Sequence, residues 1–169
     1  MKHIILYIAS SLDGFIARQD GTVDWLFSDQ DYGYQEFYNC IDTVIIGPKT
    51  YEQARSFEQH PFAGEKCYVS SRTISKSPAE NVYFIHDQIP DFIQRIKSES
   101  GKDIWLVDGA EIIEVFLNQN RIDRLILSIH PVLLGTGIPL FQNLRQEVNL
   151  KLKESLSFDG GLVQLHLKC

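Results

Sequence analysis

The chain has 169 residues, of which 44% are hydrophobic and 22% are charged, a composition typical of a globular domain with its own core. Its formal net charge of −6 argues against a cationic nucleic-acid-binding surface, and its apolar runs fall short of the roughly 20 residues that span a bilayer. We therefore expect one domain over residues 1–169, located in the cytoplasm, with neither nucleic-acid nor membrane partners.

The N-terminal part of the chain predicts a strand, a loop and a helix. "KHIILYIAS" is rich in β-branched residues and predicts a buried strand. "SLDGFIARQDGTVDW" contains two Asp-Gly pairs and predicts a loop, with Asp13 shaping its first turn. Ser28 can cap a helix whose first turn holds Asp29 and Asp31, where the helix dipole favours anions. We expect this helix over residues 28–40.

Three aromatic residues lie on one face of that predicted helix, namely Tyr34, Phe37 and Tyr38. This pattern is typical of a stripe that packs into the core. The same rings could also stack on a flat heterocyclic ligand. The sequence leaves both interpretations open.

The rest of the chain alternates strands with helices. The predicted strands are "TVIIG", "EKCYVSS", "NVYFI", "DIWLV" and "IDRLILSIHPVLL", and the predicted helices are "KTYEQARSF", "QIPDFIQRIKSESG" and "AEIIEVFLNQN". "GTGIPLF" predicts a loop, and two alternating segments around "DGG" predict a C-terminal antiparallel hairpin. This order predicts an α/β fold, a three-layer α/β/α sandwich with a mixed, mostly parallel sheet.

Three strand-to-helix junctions carry groups that suit phosphate. They are Gly47-Pro48-Lys49-Thr50, Ser70-Ser71-Arg72-Thr73 and Asp108-Gly109-Ala110-Glu111. Ligands of parallel sheets bind beyond the carboxyl ends of the strands, and helix N-termini, hydroxyls and an arginine all bind phosphate. Each junction alone also fits an ordinary turn or helix start, and none is a glycine-rich phosphate fingerprint. Their coincidence on one edge predicts a pyrophosphate or 2′-phosphate site.

The metal-ligating residues of the chain are scattered. Cys40, Cys67 and Cys169 are far apart and odd in number, and the five histidines show no ligand spacing. We therefore expect neither a disulfide framework nor a metal site.

Five stretches together resemble a known family, and they cover nearly the whole chain in the family's order. They are "ASSLDGFIA", "VIIGPKTYE", "VSSRT", "IWLVDGAEIIEVFL" and "RIDRLILSIHPVLLGTGIPLF". The chain resembles the dihydrofolate reductase-like family, in particular the bacterial group similar to the C-terminal reductase domain of the bifunctional riboflavin-biosynthesis deaminase/reductase. The resemblance implies NADPH as hydride donor, a small pterin-like or pyrimidine-like substrate reduced at a C=N bond or a sugar carbonyl equivalent, and a homodimer.

The resemblance also implies roles for individual residues. The cofactor would be bound by Ala9, Ile16, Gly47, Lys49, Thr50, Ser70, Ser71, Arg72, Val107, Gly109, Ala110, Glu111 and Ile112. The substrate would be faced by Trp25, Tyr34, Phe37 and Tyr38. Asp31 is the candidate proton donor, since reduction of a C=N bond needs a proton at nitrogen, and it serves equally well as a first-turn helix acid.

Three positions depart from the family pattern. Pro48 stands where an arginine is usual, Asp108 where a glycine is usual, and Val107 where riboflavin-type reductases carry a glutamate. Pro48 has no N–H, and a carboxylate beside a diphosphate is repelled by it. The departures leave three alternatives: a weaker NADPH site, a changed cofactor preference, or a non-catalytic dimeric ligand-binding relative with an eroded cofactor site. A preference for NADH has little support while Arg72 follows two serines.

Overall fold

A computed structural model describes residues 1–57, 62–71, 80–85, 88–107 and 109–169 of the chain. The described strands are β1 (Ile4–Ser11), β2 (Phe15–Ala17), β3 (Ile41–Ile46), β4 (Lys66–Val69), β5 (Val82–Phe84), β6 (Asp103–Leu106), β7 (Arg124–His130), β8 (Ile138–Pro139), β9 (Lys151–Ser157) and β10 (Val163–Lys168). The described helices are α1 (Tyr34–Asn39), α2 (Pro48–Phe57), α3 (Ile89–Ser98) and α4 (Ala110–Asn118).

Eight of these strands form one mixed sheet in the order β5-β4-β3-β6-β1-β7-β10-β9. The strands from β5 to β7 in this order pair in parallel, whereas β10 pairs antiparallel with both β7 and β9. The predicted mostly parallel sheet with an antiparallel C-terminal hairpin is therefore confirmed. Because the parallel strands run in one direction, their carboxyl ends meet at one edge of the sheet.

Helices cover both faces of the sheet, as the period of two along each strand requires. Ile4, Leu6 and Ile8 of β1 belong to a core that also contains apolar residues of α3 and α4. Ile5, between them in sequence, belongs to the second core, which includes Phe37 of α1. The second core also includes an α2 residue. The three-layer α/β/α arrangement is confirmed.

The first helix is shorter than the sequence predicts. α1 begins at Tyr34 and not near Ser28, and its N-cap is Gly33, without a capping side chain. The reason is the backbone, since Tyr32 and Gly33 have φ angles of 52° and 80°. Two consecutive left-handed residues cannot continue a right-handed helix, so the chain must enter α1 after them.

Two segments predicted as loops contain short strands. β2 pairs antiparallel with β8, outside the main sheet. Asp13 holds the segments together, because its carboxylate accepts hydrogen bonds from the N–H groups of Leu134 (3.1 Å) and Gly135 (2.7 Å). The Ser11 hydroxyl also donates to Asp13 and is the main reason that the pKa of this carboxyl is lowered. A partner more than 100 residues away decides this pairing, and a three-residue segment carries no local signal for it.

All three cysteines are free. Within the described ranges, no group of three or more His, Cys, Asp or Glu side chains is arranged to hold a metal ion. The helices of the described part of the chain are also too short or too polar to cross a membrane.

Candidate functional site

A large cavity lies at the carboxyl edge of the parallel strands. Its volume is about 1540 Å³, and it is lined by residues that follow β3, β4 and β6, together with residues of β1 and β2. Small-molecule sites usually have about 300–1,000 Å³. The cavity can therefore hold a large ligand, or two ligands side by side.

One end of the cavity is formed by the starts of α2 and α4. Gly47 precedes α2 and its carbonyl accepts the N–H of Tyr51 (2.9 Å), which closes the first turn. Gly109 precedes α4 with a φ of 134°, a conformation that L-residues rarely adopt. A Cβ at Gly109 would lie 3.6 Å from the Thr50 hydroxyl, so the two helix starts lie close together. Helix N-termini present N–H groups and the positive end of the helix dipole, both of which attract anions.

Two opposite charges face each other at this end. The Lys49 ammonium lies 3.5 Å from Glu111 Oε1, and both side chains are more than four-fifths exposed, at 89% and 85%. An exposed pair at this distance holds weakly, because solvent screens it and both side chains are long and flexible. Lys49 can therefore turn from Glu111 to an anionic ligand at small cost.

The junction after β4 adds hydroxyls to the same end. Ser70 and Ser71 both line the cavity, and Ser71 is buried. The N–H of Ser70 bonds to Ile46 O (3.0 Å), which ties this junction to the end of β3. Arg72, the cation predicted at this junction, lies outside the described residues, as does Asp108.

A second part of the cavity, called the aromatic end below, is lined by aromatic rings. Tyr7 on β1, Trp105 on β6 and Tyr34 on α1 line it. The Tyr34 ring lies edge-on to Tyr7 at 6.1 Å and to Trp105 at 5.8 Å. Burial raises the pKa of Tyr7, so its hydroxyl stays protonated at neutral pH. Flat rings surrounding a hydroxyl can stack on a planar ligand and donate a hydrogen bond to it.

The structure brings most of the sequence-predicted site residues to this cavity. Those that line it are Ala9, Ile16, Tyr34, Gly47, Lys49, Thr50, Ser70, Ser71, Gly109, Ala110, Glu111 and Ile112. The three junctions thus meet at one edge, as their positions after neighbouring strands predict. Their roles toward a ligand stay predictions.

Two of the other predicted residues are part of the aromatic packing behind the lining. Phe37 stacks on Tyr7 with ring centroids 4.4 Å apart. Tyr38 donates its hydroxyl hydrogen to Glu65. Both rings also lie edge-on to Trp105, so they support the lining from behind. The core-facing interpretation of this stripe therefore describes Phe37 and Tyr38, whereas Tyr34 reaches the cavity.

Three more predicted residues are also absent from the described lining. Trp25 is buried beside His130, with ring centroids 5.2 Å apart. Val107 is buried, and its N–H bonds to Ile45 O (2.8 Å) within the sheet. The Asp31 carboxylate accepts the N–H of Gln35 at 3.1 and 3.2 Å, so it stabilises the start of α1. For Asp31 the structure favours the helix-acid alternative.

Sequence reasoning missed Tyr7 and Trp105. Both sit in segments that predict buried strands, and in the structure Trp105 is buried whereas Tyr7 is half-buried. The available signal was chemical: each is a large aromatic residue with a polar atom inside an otherwise aliphatic strand. Such residues need hydrogen-bond partners, and strand ends near a cavity supply them.

The strand order, the three layers and the cavity at the carboxyl edge define the dihydrofolate reductase-like α/β class. Residues 2–164 match the RibD C-terminal domain family, and the chain belongs to that family.

Comparison with known proteins agrees. The chain is 42% identical over 169 residues to the uncharacterized protein YwjB of Bacillus subtilis (strain 168), covering 98% of this chain and 97% of YwjB. A Shewanella sp. PV-4 structure, provisionally assigned to riboflavin biosynthesis, superposes with a TM-score of 0.88 at 26% identity, covering 98% of both chains. The Thermotoga maritima diaminohydroxyphosphoribosylaminopyrimidine deaminase/5-amino-6-(5-phosphoribosylamino)uracil reductase superposes with a TM-score of 0.76 at 15% identity, covering 99% of this chain and 56% of that one.

Proposed function

We propose that the protein is an NADPH-dependent reductase of a small, flat pterin-like or pyrimidine-like heterocycle. The observation that carries this proposal is the meeting of three strand-to-helix junctions, with residues 47–50, 70–71 and 109–112, in one cavity at the carboxyl edge of the sheet. Membership of the RibD C-terminal domain family supports a reductase of this type.

The described residues fit the pyrophosphate of a dinucleotide. The starts of α2 and α4 lie together. The backbone conformation at Gly109 is one that glycine adopts readily and other residues rarely adopt. Thr50 and Ser71 offer hydroxyls at the same end of the cavity, and Lys49 offers a cation. These groups are the ones that bind phosphate oxygens in other proteins.

The volume supports two ligands in contact. A cavity of about 1540 Å³ exceeds the usual size for one small molecule. NADPH, when bound, would supply the hydride. The described residues at the starts of α2 and α4, called the polar end below, would bind the phosphates of NADPH. The residues at the aromatic end would hold the heterocycle among Tyr7, Tyr34 and Trp105. Together they would exclude water between the two ligands. Holding two reactants in contact is itself a large part of catalysis.

A titration of the purified protein with NADPH and, in parallel, with NADH tests the proposal through nicotinamide fluorescence. We expect saturation at micromolar NADPH and much weaker binding of NADH. Oxidation of NADPH in the presence of pterins, dihydropterins or pyrimidines that carry a reducible C=N bond or sugar carbonyl equivalent then tests turnover. Absence of NADPH binding up to millimolar concentration would contradict the proposal.

A second candidate is a ligand-binding relative without reductase activity. Two observations favour it: Pro48 removes one N–H from the start of α2, and the Glu111 carboxylate lies 3.5 Å from Lys49. Reversion with Pro48→Arg and Asp108→Gly separates the candidates. If the site is eroded, the two substitutions should raise NADPH affinity by about an order of magnitude or more, because a charge-assisted hydrogen bond contributes about 1.5–3 kcal/mol. If the native site already binds NADPH well, they should change the affinity little.

The proposed active form is a homodimer that assembles through the C-terminal part. β9 is one of the two edge strands of the described sheet, and each of its residues is exposed, including Leu152 and Leu156. An uncovered edge with apolar side chains supports pairing with another chain. Sedimentation equilibrium measures the mass directly, and a monomer at micromolar concentration would contradict this proposal.

A further inference from the structure

The Tyr7 ring is held rigidly at the inner, aromatic end of the cavity. It stacks on Phe37 with centroids 4.4 Å apart and 19° between the ring planes, and it lies edge-on to Trp105 at 6.5 Å. The Trp105 indole N–H also donates to the backbone oxygen of Tyr7 (3.3 Å). The direction of the Tyr7 hydroxyl is therefore fixed by packing against Phe37 of α1 and Trp105 of β6.

The Tyr7 hydroxyl, in contrast, is only weakly engaged. The Ser128 side chain hydrogen-bonds with it. The hydroxyl donates its own hydrogen to the backbone oxygen of Tyr32 over 3.4 Å, and Gln164 Nε2 approaches the hydroxyl oxygen at 3.5 Å. Both distances are longer than the 2.7–2.8 Å usual for a hydroxyl–oxygen bond and the roughly 2.9–3.0 Å usual for an amide donor. A ligand acceptor at normal distance would bind this hydroxyl better than Tyr32 does.

Gln164 explains why the hydroxyl keeps this spare capacity. Gln164 is 2% exposed, and its Nε2 has nearer acceptors in the Ser128 hydroxyl (3.0 Å) and the Tyr32 carbonyl (3.2 Å). An amide nitrogen has two hydrogens, so these two acceptors use both. His166 Nε2 lies 2.9 Å from Gln164 Oε1 and fixes the orientation of the amide. The Gln164 amide therefore holds the Tyr32 carbonyl and the Ser128 hydroxyl, the two groups beside the Tyr7 hydroxyl, and so acts on Tyr7 through them.

We propose that the Tyr7 hydroxyl is the hydrogen-bond donor that orients a flat nitrogen heterocycle at the inner end of the cavity, and that Gln164 is its positioning residue. This inference rests on the proposed function and names the group that selects its substrate. The expected ligand presents a ring nitrogen or exocyclic oxygen to Tyr7 while its ring lies among the aromatic side chains. A hydrocarbon ring of the same size has no acceptor to offer and binds without this bond.

Pterin is a suitable probe, since its own fluorescence reports binding to the full-length protein without turnover. We expect wild-type protein to bind pterin and Tyr7→Phe to weaken it about three- to tenfold, the effect of one neutral hydrogen bond. Tyr83→Phe, which removes a phenol from the far side of the sheet on β5, should leave pterin affinity unchanged. Urea midpoints of the variants check that the fold is retained.

Tyr34→Phe separates the two phenols of the cavity. If Tyr34→Phe weakens pterin and Tyr7→Phe does not, the donor is Tyr34 and the inference is wrong. It is also wrong if wild-type protein binds no pterin up to millimolar concentration. The NADPH titration distinguishes failure of this inference from failure of the proposed function. A protein that binds pterin through Tyr7 but does not bind NADPH would contradict the reductase proposal and would still support the role of Tyr7.

The role of Gln164 is tested by Gln164→Met, alone and combined with Tyr7→Phe. If Gln164 acts by positioning Tyr7, the Tyr7→Phe substitution should cost much less pterin affinity in the Gln164→Met background than in the wild type. A purely structural effect of Gln164 would be additive with Tyr7→Phe, and additivity would overturn this part of the proposal.

Discussion

At one end of the large cavity the described residues offer hydroxyls, helix starts and exposed charges, whereas at the other end they present packed aromatic rings. Lys49 and Glu111 are exposed at the first end, while Trp105 at the second is 8% exposed. The first end depends on backbone conformation and long-range charge. The second depends on side chains that are part of the core.

This difference predicts two kinds of sensitivity. Substitution at the polar end should change ligand affinity and its salt dependence with modest effects on folding. Substitution at the aromatic end should change folding and ligand selection together, because the rings proposed to contact the ligand also join the sheet to α1. The next four experiments are arranged from the largest expected effect to the smallest.

Trp105→Ala should lower the free energy of unfolding by about 3–5 kcal/mol, the usual cost of removing a buried large aromatic side chain. Five rings lie within 6.5 Å of it and would lose a packing partner: Tyr7, Tyr34, Phe37, Tyr38 and Phe62. Urea denaturation measures the loss. Leu133→Ala, at a side chain that is 69% exposed, is the control and should change stability by less than about 0.5 kcal/mol. Similar losses in the free energy of unfolding for both variants would contradict the view that the aromatic end is part of the core.

Gly109→Ala should lower the free energy of unfolding by about 1–3 kcal/mol, since an L-residue at a φ of 134° is strained. The neighbouring atoms leave room for the methyl group, with Ile112 Cγ2 the nearest at 3.4 Å, so the cost comes from the backbone. Gly64→Ala is the matched control, because nothing lies within 4 Å of its added Cβ and its φ is ordinary. We also expect weaker NADPH binding for Gly109→Ala alone, and equal behaviour of the two variants would contradict a special role for this helix start.

His130 lies behind the cavity wall, where Trp25 and Phe27 pack against its ring. Burial lowers its pKa, so the unfolded chain takes up a proton at higher pH than the folded protein does. The contribution of neutral His130 to the free energy of unfolding is therefore present above the unfolded pKa of about 6.5. It is lost as pH falls through the lower folded pKa, by up to about 1.4 kcal/mol per pH unit.

The difference in pH dependence between wild type and His130→Phe isolates this contribution, with Trp25 fluorescence as the local reporter. We expect the free energy of unfolding of the wild type to fall more than that of the variant between pH 7 and pH 5. The affinity for pterin at neutral pH should be the same in both proteins. Identical pH profiles would show that the pKa of His130 is the same in the folded and unfolded states, and would contradict the lowered pKa. A large loss of pterin binding in His130→Phe would instead show that Trp25, which packs against His130, contributes to the ligand site at the aromatic end.

Lys49→Ala should have the smallest effect on stability, within about 0.5 kcal/mol, because the side chain is 89% exposed. NADPH affinity should fall about two- to fivefold at low salt, and this difference should disappear near 1 M salt, where the Debye length is about 3 Å. Lys102→Ala, at an exposed lysine directly before β6 and therefore at the opposite edge of the sheet, is the charge-matched control. A salt-independent effect of Lys49→Ala would argue for packing and against charge at the polar end.

The polar end could be predicted because its signals are local. A strand that stops at a glycine, a proline at the first helical position and hydroxyls after a buried run are all visible within four residues. Parallel strands then bring such junctions to one edge without further information. For this reason Gly47, Ser71 and Gly109 line one cavity as the sequence suggested.

The aromatic end could not be predicted in the same way. Periodicity favours burial of both Phe37 and Trp105, but it does not distinguish a ring that borders the cavity from one that packs behind it. Here Trp105 borders the cavity, Phe37 supports it from behind, and Trp25 packs against His130. The start of α1 depended likewise on two left-handed residues that no hydrophobic pattern announces.

By itself, the amino-acid sequence determined the α/β class, the family and the positions of the strand-to-helix junctions, since each depends on residues close together in the chain. The tertiary structure decided which aromatic rings line the cavity, how β2 pairs with β8, and that the Asp31 carboxylate accepts the N–H of Gln35 at the start of α1. Those outcomes depend on contacts between residues up to 157 positions apart, as for Tyr7 and Gln164, and only the packed sheet brings such residues together.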